Sequence, residues 1–222
     1  MNIETVTTTF LVLVLSFVLF IIFGISNFKE FHKKNYYFLG NFPFEMHSCQ
    51  EMKINNYVRS TLLIFILSSI FFQISLFSLV NIISHTLLII LGSLSAISLG
   101  MVFFVNLNNI KLHVLSVTLS LSLSILSYLG LIYLGLKTPL FIENKIVLYI
   151  LAGLFAIFEF SLIFHPNMKT WMNYEEVINE DGSVTHKRGK RNFLASLEWI
   201  IIANHLIYLI ISLVFIIPNF LI

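Results

Sequence analysis

Long apolar runs separated by short polar stretches dominate this 222-residue chain. They cover residues 5–26, 58–80, 84–106, 112–136, 145–164 and 193–217. Each run approaches or exceeds the roughly 20 residues that carry a helix across a hydrocarbon layer of about 30 Å. The pattern predicts an all-α polytopic membrane protein, a single six-helix domain over 1–222. Its connections differ in length. Those at 27–57 and 165–192 are long, and the turn after residue 80 is so short that helices two and three must form an antiparallel hairpin.

Charge placement gives this arrangement an orientation. Of the 13 Lys and Arg residues, all but Lys137 and Lys145 fall in the first, third and fifth connections or at their edges. Basic residues collect on the cytoplasmic side, so both termini are expected outside and both long connections inside. Met1–Thr9 carries Glu4 and no Lys or Arg, which argues against a cleaved signal and for a retained first helix. Composition agrees: 58% of residues are hydrophobic and only 11% charged, too few charges to cover a water-soluble domain of this size. The basic clusters face anionic lipid, so the net charge of +2 is not read as nucleic-acid binding. Abundant Ile, Phe, Leu and Asn suggest an AT-rich bacterial genome and hence the bacterial cytoplasmic membrane.

The two long connections have opposite characters. Asn35–Met46 is too aromatic for a solvated loop, and is expected either to lie along the inner interface or to plug the inner mouth of the bundle. Tyr36, Tyr37, Phe42 and Phe44 are its candidate contacts to lipid or to a partner protein. The connection over 165–192 is polar. Short alternating segments flank Asp181-Gly182, a dipeptide suited to a tight turn, which predicts a small cytoplasmic β-hairpin. The basic cluster Lys187, Arg188, Lys190 and Arg191 follows as a second candidate lipid or partner contact. Trp171, Trp199, Tyr36, Tyr37 and Tyr57 at the inner side, with Tyr133 and Tyr149 at the outer, read as an aromatic belt.

Inside the spans lie two acidic groups, Glu159 and Glu198. Each is placed about five residues from the cytoplasmic boundary, ~7–8 Å deep at 1.5 Å per residue, which suggests matched depth on sequential helices. Glu198, His205 and Ser212 recur at i, i+7 and i+14 on one helix face, flanked by Asn204 and Tyr208. An ionisable group within hydrocarbon costs several kcal/mol and is a candidate site by default. Glu159, Glu198, His205 and Asn204 are therefore expected to form a polar pocket, opening to the cytoplasm, for a cation, proton or polar substrate. The structural alternative has the glutamates snorkelling or paired to Lys169, Arg191, Tyr or Asn, with His205 bonding across helices. Small residues at Gly92, Ala96 and Gly100, and serines at 116, 120, 124 and 127, read as packing faces.

No proline falls within a span, and the loop lengths do not repeat between halves, so an inverted-repeat transporter is disfavoured. His32, His47 and Cys49 do not complete a zinc pattern. No nucleophile elbow, phosphate loop or paired-histidine zinc motif is present. No cofactor or metal is expected. Three functions fit: a small transport component, alone or as the membrane subunit of a complex; a non-catalytic scaffold docking a partner through its cytoplasmic loops; and a lipid-modifying enzyme using Glu198 and His205. The expected partners are the bilayer, a second copy of the chain, or another protein.

Overall fold

The computed structural model describes residues 2–47, 53–80, 84–105, 109–137, 145–166, 174–178, 184–188 and 192–217. Six of its helices are long and apolar enough to cross a membrane: α1 (Ile3–His32), α2 (Ile54–Phe77), α3 (Ser84–Phe104), α4 (Ile110–Lys137), α5 (Lys145–Ile163) and α6 (Phe193–Ile216). The chain is a multi-pass helical membrane protein. Backbone amides and carbonyls inside hydrocarbon have no water to bond, so helices, which satisfy them internally, are the form these runs take.

Helix ends follow local chemistry. Asn2 caps α1, its Oδ1 accepting the Thr5 amide at 3.0 Å and the Thr5 hydroxyl at 2.6 Å. Asn192 caps α6 by accepting from the Leu194 amide at 3.0 Å. α1 runs past the apolar segment to His32 and ends at Lys33, which takes a left-handed conformation with φ 53°. The extra turn has a tertiary cause, because Asn27 and Phe28 are buried against the segment that follows.

Helices α1 to α5 pack each against the next, and α6 touches α2, α3, α4 and α5. The last helix in sequence is thus the central one. α1 and α5 are the most peripheral, with mostly exposed apolar side chains such as Leu11, Leu15, Ile150 and Ile157 turned outward as lipid-facing surface requires. The α2–α3 contact depends on small residues. A Cβ at Gly92 would overlap the Gln73 carboxamide, and one at Gly100 would lie 2.7 Å from Ile66 Cδ1. Gln73 is fully buried and donates to the Gly92 carbonyl at 3.1 Å. The small-residue face of α3 is therefore a packing surface for α2.

Two strands, β1 (Tyr174–Ile178) and β2 (Val184–Arg188), pair antiparallel with Val177 opposite Thr185 and Tyr174 opposite Arg188. The intervening Asp181-Gly182, along with Trp171, Lys190, Arg191 and Cys49, lies outside the described residues.

The first connection folds inward. Residues Asn35–Met46 form one turn, closed on the Tyr37 carbonyl, and a single 3-10 turn, Pro43–Met46, that enters one end of the bundle against α1, α3 and α6. Pro43 takes the first helical position, where its missing N–H costs nothing. Glu45 Oε2 accepts from the Phe42 amide at 2.8 Å and from Asn41 at 3.1 Å, and the Tyr36 hydroxyl donates to the carbonyls of Asn41 and Phe42. Phe42, Phe44 and Met46 are buried. Of the two expected placements, the plug is the one found. Hydrogen bonding to α1, α3 and α6 fixes it. Asn27 donates to the Met46 carbonyl and to Asn55, and His47 Nε2 lies 2.5 Å from the Phe103 carbonyl. The Asn192 amide bonds the Leu39 carbonyl at 2.8 Å, and Trp199 Nε1 bonds that of Asn41 at 3.1 Å.

Candidate functional site: buried polar pairs along the central helix

Three separate contacts hold the polar side chains of α6, each to a different neighbour or level. Nearest the plug, Glu198 Oε1 lies 2.7 Å from His113 Nε2 on α4, with both groups buried. His113 Nδ1 sits 2.6 Å from the Val105 carbonyl. A carbonyl only accepts, so Nδ1 carries a hydrogen, and the contact with Glu198 holds a single shared proton, as imidazolium–carboxylate or as imidazole–carboxylic acid. Phe42 and Phe44 of the plug meet the His113 ring edge-on, with centroids 6.2 and 5.8 Å away. The plug therefore covers this pair.

Deeper along α6, Asn204 Nδ2 donates to Glu159 Oε1 of α5. The Tyr128 hydroxyl of α4 donates to Asn204 Oδ1 at 3.1 Å. Tyr128 itself is clamped between Phe155, stacked at 5.7 Å, and Tyr208, edge-on at 5.4 Å. The third contact turns to another side of the helix. His205 is about 100° around the helix from Asn204, and its Nε2 meets Ser69 Oγ of α2 at 2.8 Å.

The expected grouping of Glu159, Glu198, His205 and Asn204 thus resolves into pairs. Glu159 and Asn204 come together, and Glu198 and His205 each take another partner. Nor are the two glutamates at matched depth. Glu159 meets α6 at Asn204, six residues and about 9 Å along the axis from Glu198. The reason is stagger: the ends of the apolar runs are not a common ruler, and α6 starts well below the end of α5. Of the alternatives weighed for Glu159, the asparagine is the partner found.

His113, Gln73, Asn27 and Asn55 have no place in the sequence-based expectations, and His47 figures there only in an incomplete zinc pattern. His113 was legible in principle, since it opens α4 at the basic end where Glu198 enters α6. Tyr36 is half-buried in the plug, Phe42 and Phe44 are buried in it, and Tyr37 stays exposed beside exposed Phe38 and Leu39. Trp199 packs on Tyr36 and Phe38 and donates to the plug, so it does more than mark an interface. The buried serines of α4 include Ser116 and Ser127, whose hydroxyls bond carbonyls of their own helix. Among the described residues no group of three His, Cys, Asp or Glu side chains could hold a metal ion.

No known protein family, curated protein or solved structure matches this chain.

Proposed function

We propose that this chain is a small transport component of a bacterial cytoplasmic membrane, acting alone, as a dimer or as the membrane subunit of a larger complex. In this reading its basic connections face the cytoplasm, its termini face outside, and the strands β1 and β2 lie on the cytoplasmic side. The observation that carries it is the placement of Phe42 and Phe44 over the buried Glu198–His113 pair. An aromatic plug from a connection closes the mouth of a bundle that holds carboxylates at two levels. Helix pairing alone does not call for carboxylates, because Asn, Gln or Ser supplies interhelical hydrogen bonds without the cost of an ionisable group in hydrocarbon. The plug is the gate, and the Glu198–His113 pair beneath it relays the proton that they share.

The test is a flux measurement. In liposomes carrying a pH-sensitive dye, Phe42→Ala/Phe44→Ala should collapse an imposed proton or sodium gradient faster than the wild type. Adding Glu198→Gln should alter that rate. Gradients that decay identically in all three would remove the gate and the relay together.

A second reading, a scaffold docking a partner through its cytoplasmic loops, draws on the exposed Tyr37, Phe38 and Leu39, an apolar ridge beside Lys33 and Lys34. Replacing the ridge with serines should then release a co-purifying protein while leaving gradients untouched. Lipid chemistry at Glu198 and His205 loses ground, since each is engaged with a different helix.

A further inference from the structure

We propose that Glu159, with Asn204 and Tyr128, forms a binding site for a single dehydrated sodium ion near the middle of the bundle. The inference deepens the transport reading by naming a ligand, but its test reads occupancy, so the two can fail separately.

Position comes first. Asn204 is the twelfth residue of the 24-residue α6, so the group it meets lies near the centre of the span. Glu159 is 1% exposed. Its Oε1 receives Asn204 Nδ2, while its Oε2 has no hydrogen-bond partner of good geometry among the described residues. A carboxylate in such a place needs a positive charge. The helices packed against α5 supply none at this level. On α4 the charged or titratable groups are Lys111, His113, Tyr128, Tyr133 and Lys137. The two lysines are at the helix ends, and His113 is engaged with Glu198. On α6 they are Glu198, His205 and Tyr208, and His205 is turned to Ser69. On α5 itself Lys145 opens the helix, more than three turns from Glu159.

A proton or a metal cation remains. A proton on Oε2 would have the Ser124 hydroxyl of α4 beside it as an acceptor, so the two occupants are separated by experiment. A cation there has oxygens close by: the carboxylate, and the Asn204 Oδ1 and Tyr128 hydroxyl, which lie 3.1 Å from each other. The Asn204 carboxamide, whose Nδ2 now faces Glu159, turns over to offer its oxygen to the ion. The Ser124 hydroxyl lies beside the carboxyl on the same side of α4. Oxygen ligands led by one carboxylate suit a hard cation, and a single negative charge balances a monovalent one. Coupling-ion sites at the midplane of membrane bundles are built from such groups.

The experiment uses the full-length protein in detergent. Equilibrium dialysis against radioactive sodium should show the wild type retaining an ion that Glu159→Gln does not. Tyr128→Phe, which keeps its ring between Phe155 and Tyr208, should weaken retention by about tenfold or more. In parallel, a hydrophobic carbodiimide, which attacks protonated carboxyls, should modify Glu159 more slowly in sodium chloride than in choline chloride. Equal sodium retention by wild type and Glu159→Gln overturns the proposal. So does a labelling rate that responds to pH and is indifferent to sodium, which would make the occupant a proton.

Discussion

His113 Nε2 and Glu198 Oε1 are 2.7 Å apart, and this contact ties the start of α4 to the start of α6 beneath the aromatic plug. Removing one member of a buried pair strands the other, at a cost of about 3–5 kcal/mol, whereas removing both costs less than the sum. His113→Ala and Glu198→Ala should each lower the midpoint of thermal unfolding in detergent, and the double variant should recover part of the loss. Strict additivity would show that the pair is not an energetic unit.

The plug also meets α1 at Gly24. A Cβ on Gly24 would lie 2.6 Å from Met46 Sδ and 2.9 Å from Met46 Cβ. Gly24→Ala should therefore displace the plug and cost about 1–3 kcal/mol by overpacking. Cys49, the chain's one cysteine, sits two residues beyond His47 in sequence and reports on this segment. Its maleimide labelling should speed up in Gly24→Ala and return towards the wild-type rate when Met46→Ala is added.

Acid should loosen the same segment. Burial, assisted by the nearby positive charge of Arg59, pushes the His47 pKa below its ordinary 6.5 against the opposing bond to the Phe103 carbonyl. A histidine depressed in the folded state takes up its proton more readily once the segment is released. Its contribution is thus fully present above pH 6.5 and is lost progressively as pH falls from there towards the folded-state pKa. Labelling of Cys49, taken as a ratio to His47→Asn at each pH, should rise on acidification below this value. A flat ratio would assign any acid response to other groups.

At the α2–α3 contact, Gly92→Ala should force the Gln73 carboxamide out of its place and destabilise by about 1–3 kcal/mol. Gln73→Ala makes room, so the double variant should unfold at a higher temperature than Gly92→Ala alone. If the second change only adds to the first, the two residues are not in the contact described.

Sequence pattern located the helices because the requirement for about 20 apolar residues is local and strong. The ends it placed differ from those found by a few residues, and the largest difference, the extension of α1 from Ser26 to His32, comes from tertiary burial of Asn27 and Phe28. The inward fold of Asn35–Met46 was foreshadowed by its aromatic content. Partner choice was harder to read. Glu198 and His113 are 85 residues apart, and nothing local in either helix points to the other. Depth counted from the ends of apolar runs misjudged Glu159 because helices in a bundle are staggered. The pair it does make, with Asn204, rested on residue types that the sequence did put forward.

The centrality of α6 has a consequence for biosynthesis. The ribosome delivers α1 to α5 before α6, so for a time the nascent arc presents His113, Tyr128, Glu159 and Ser69 without the side chains they bond in the finished protein. Insertion of α6 is then the step that seals the interior of the bundle. A ribosome that stalls before residue 193 leaves an unfinished arc whose polar groups lack the α6 side chains they bond in the folded bundle.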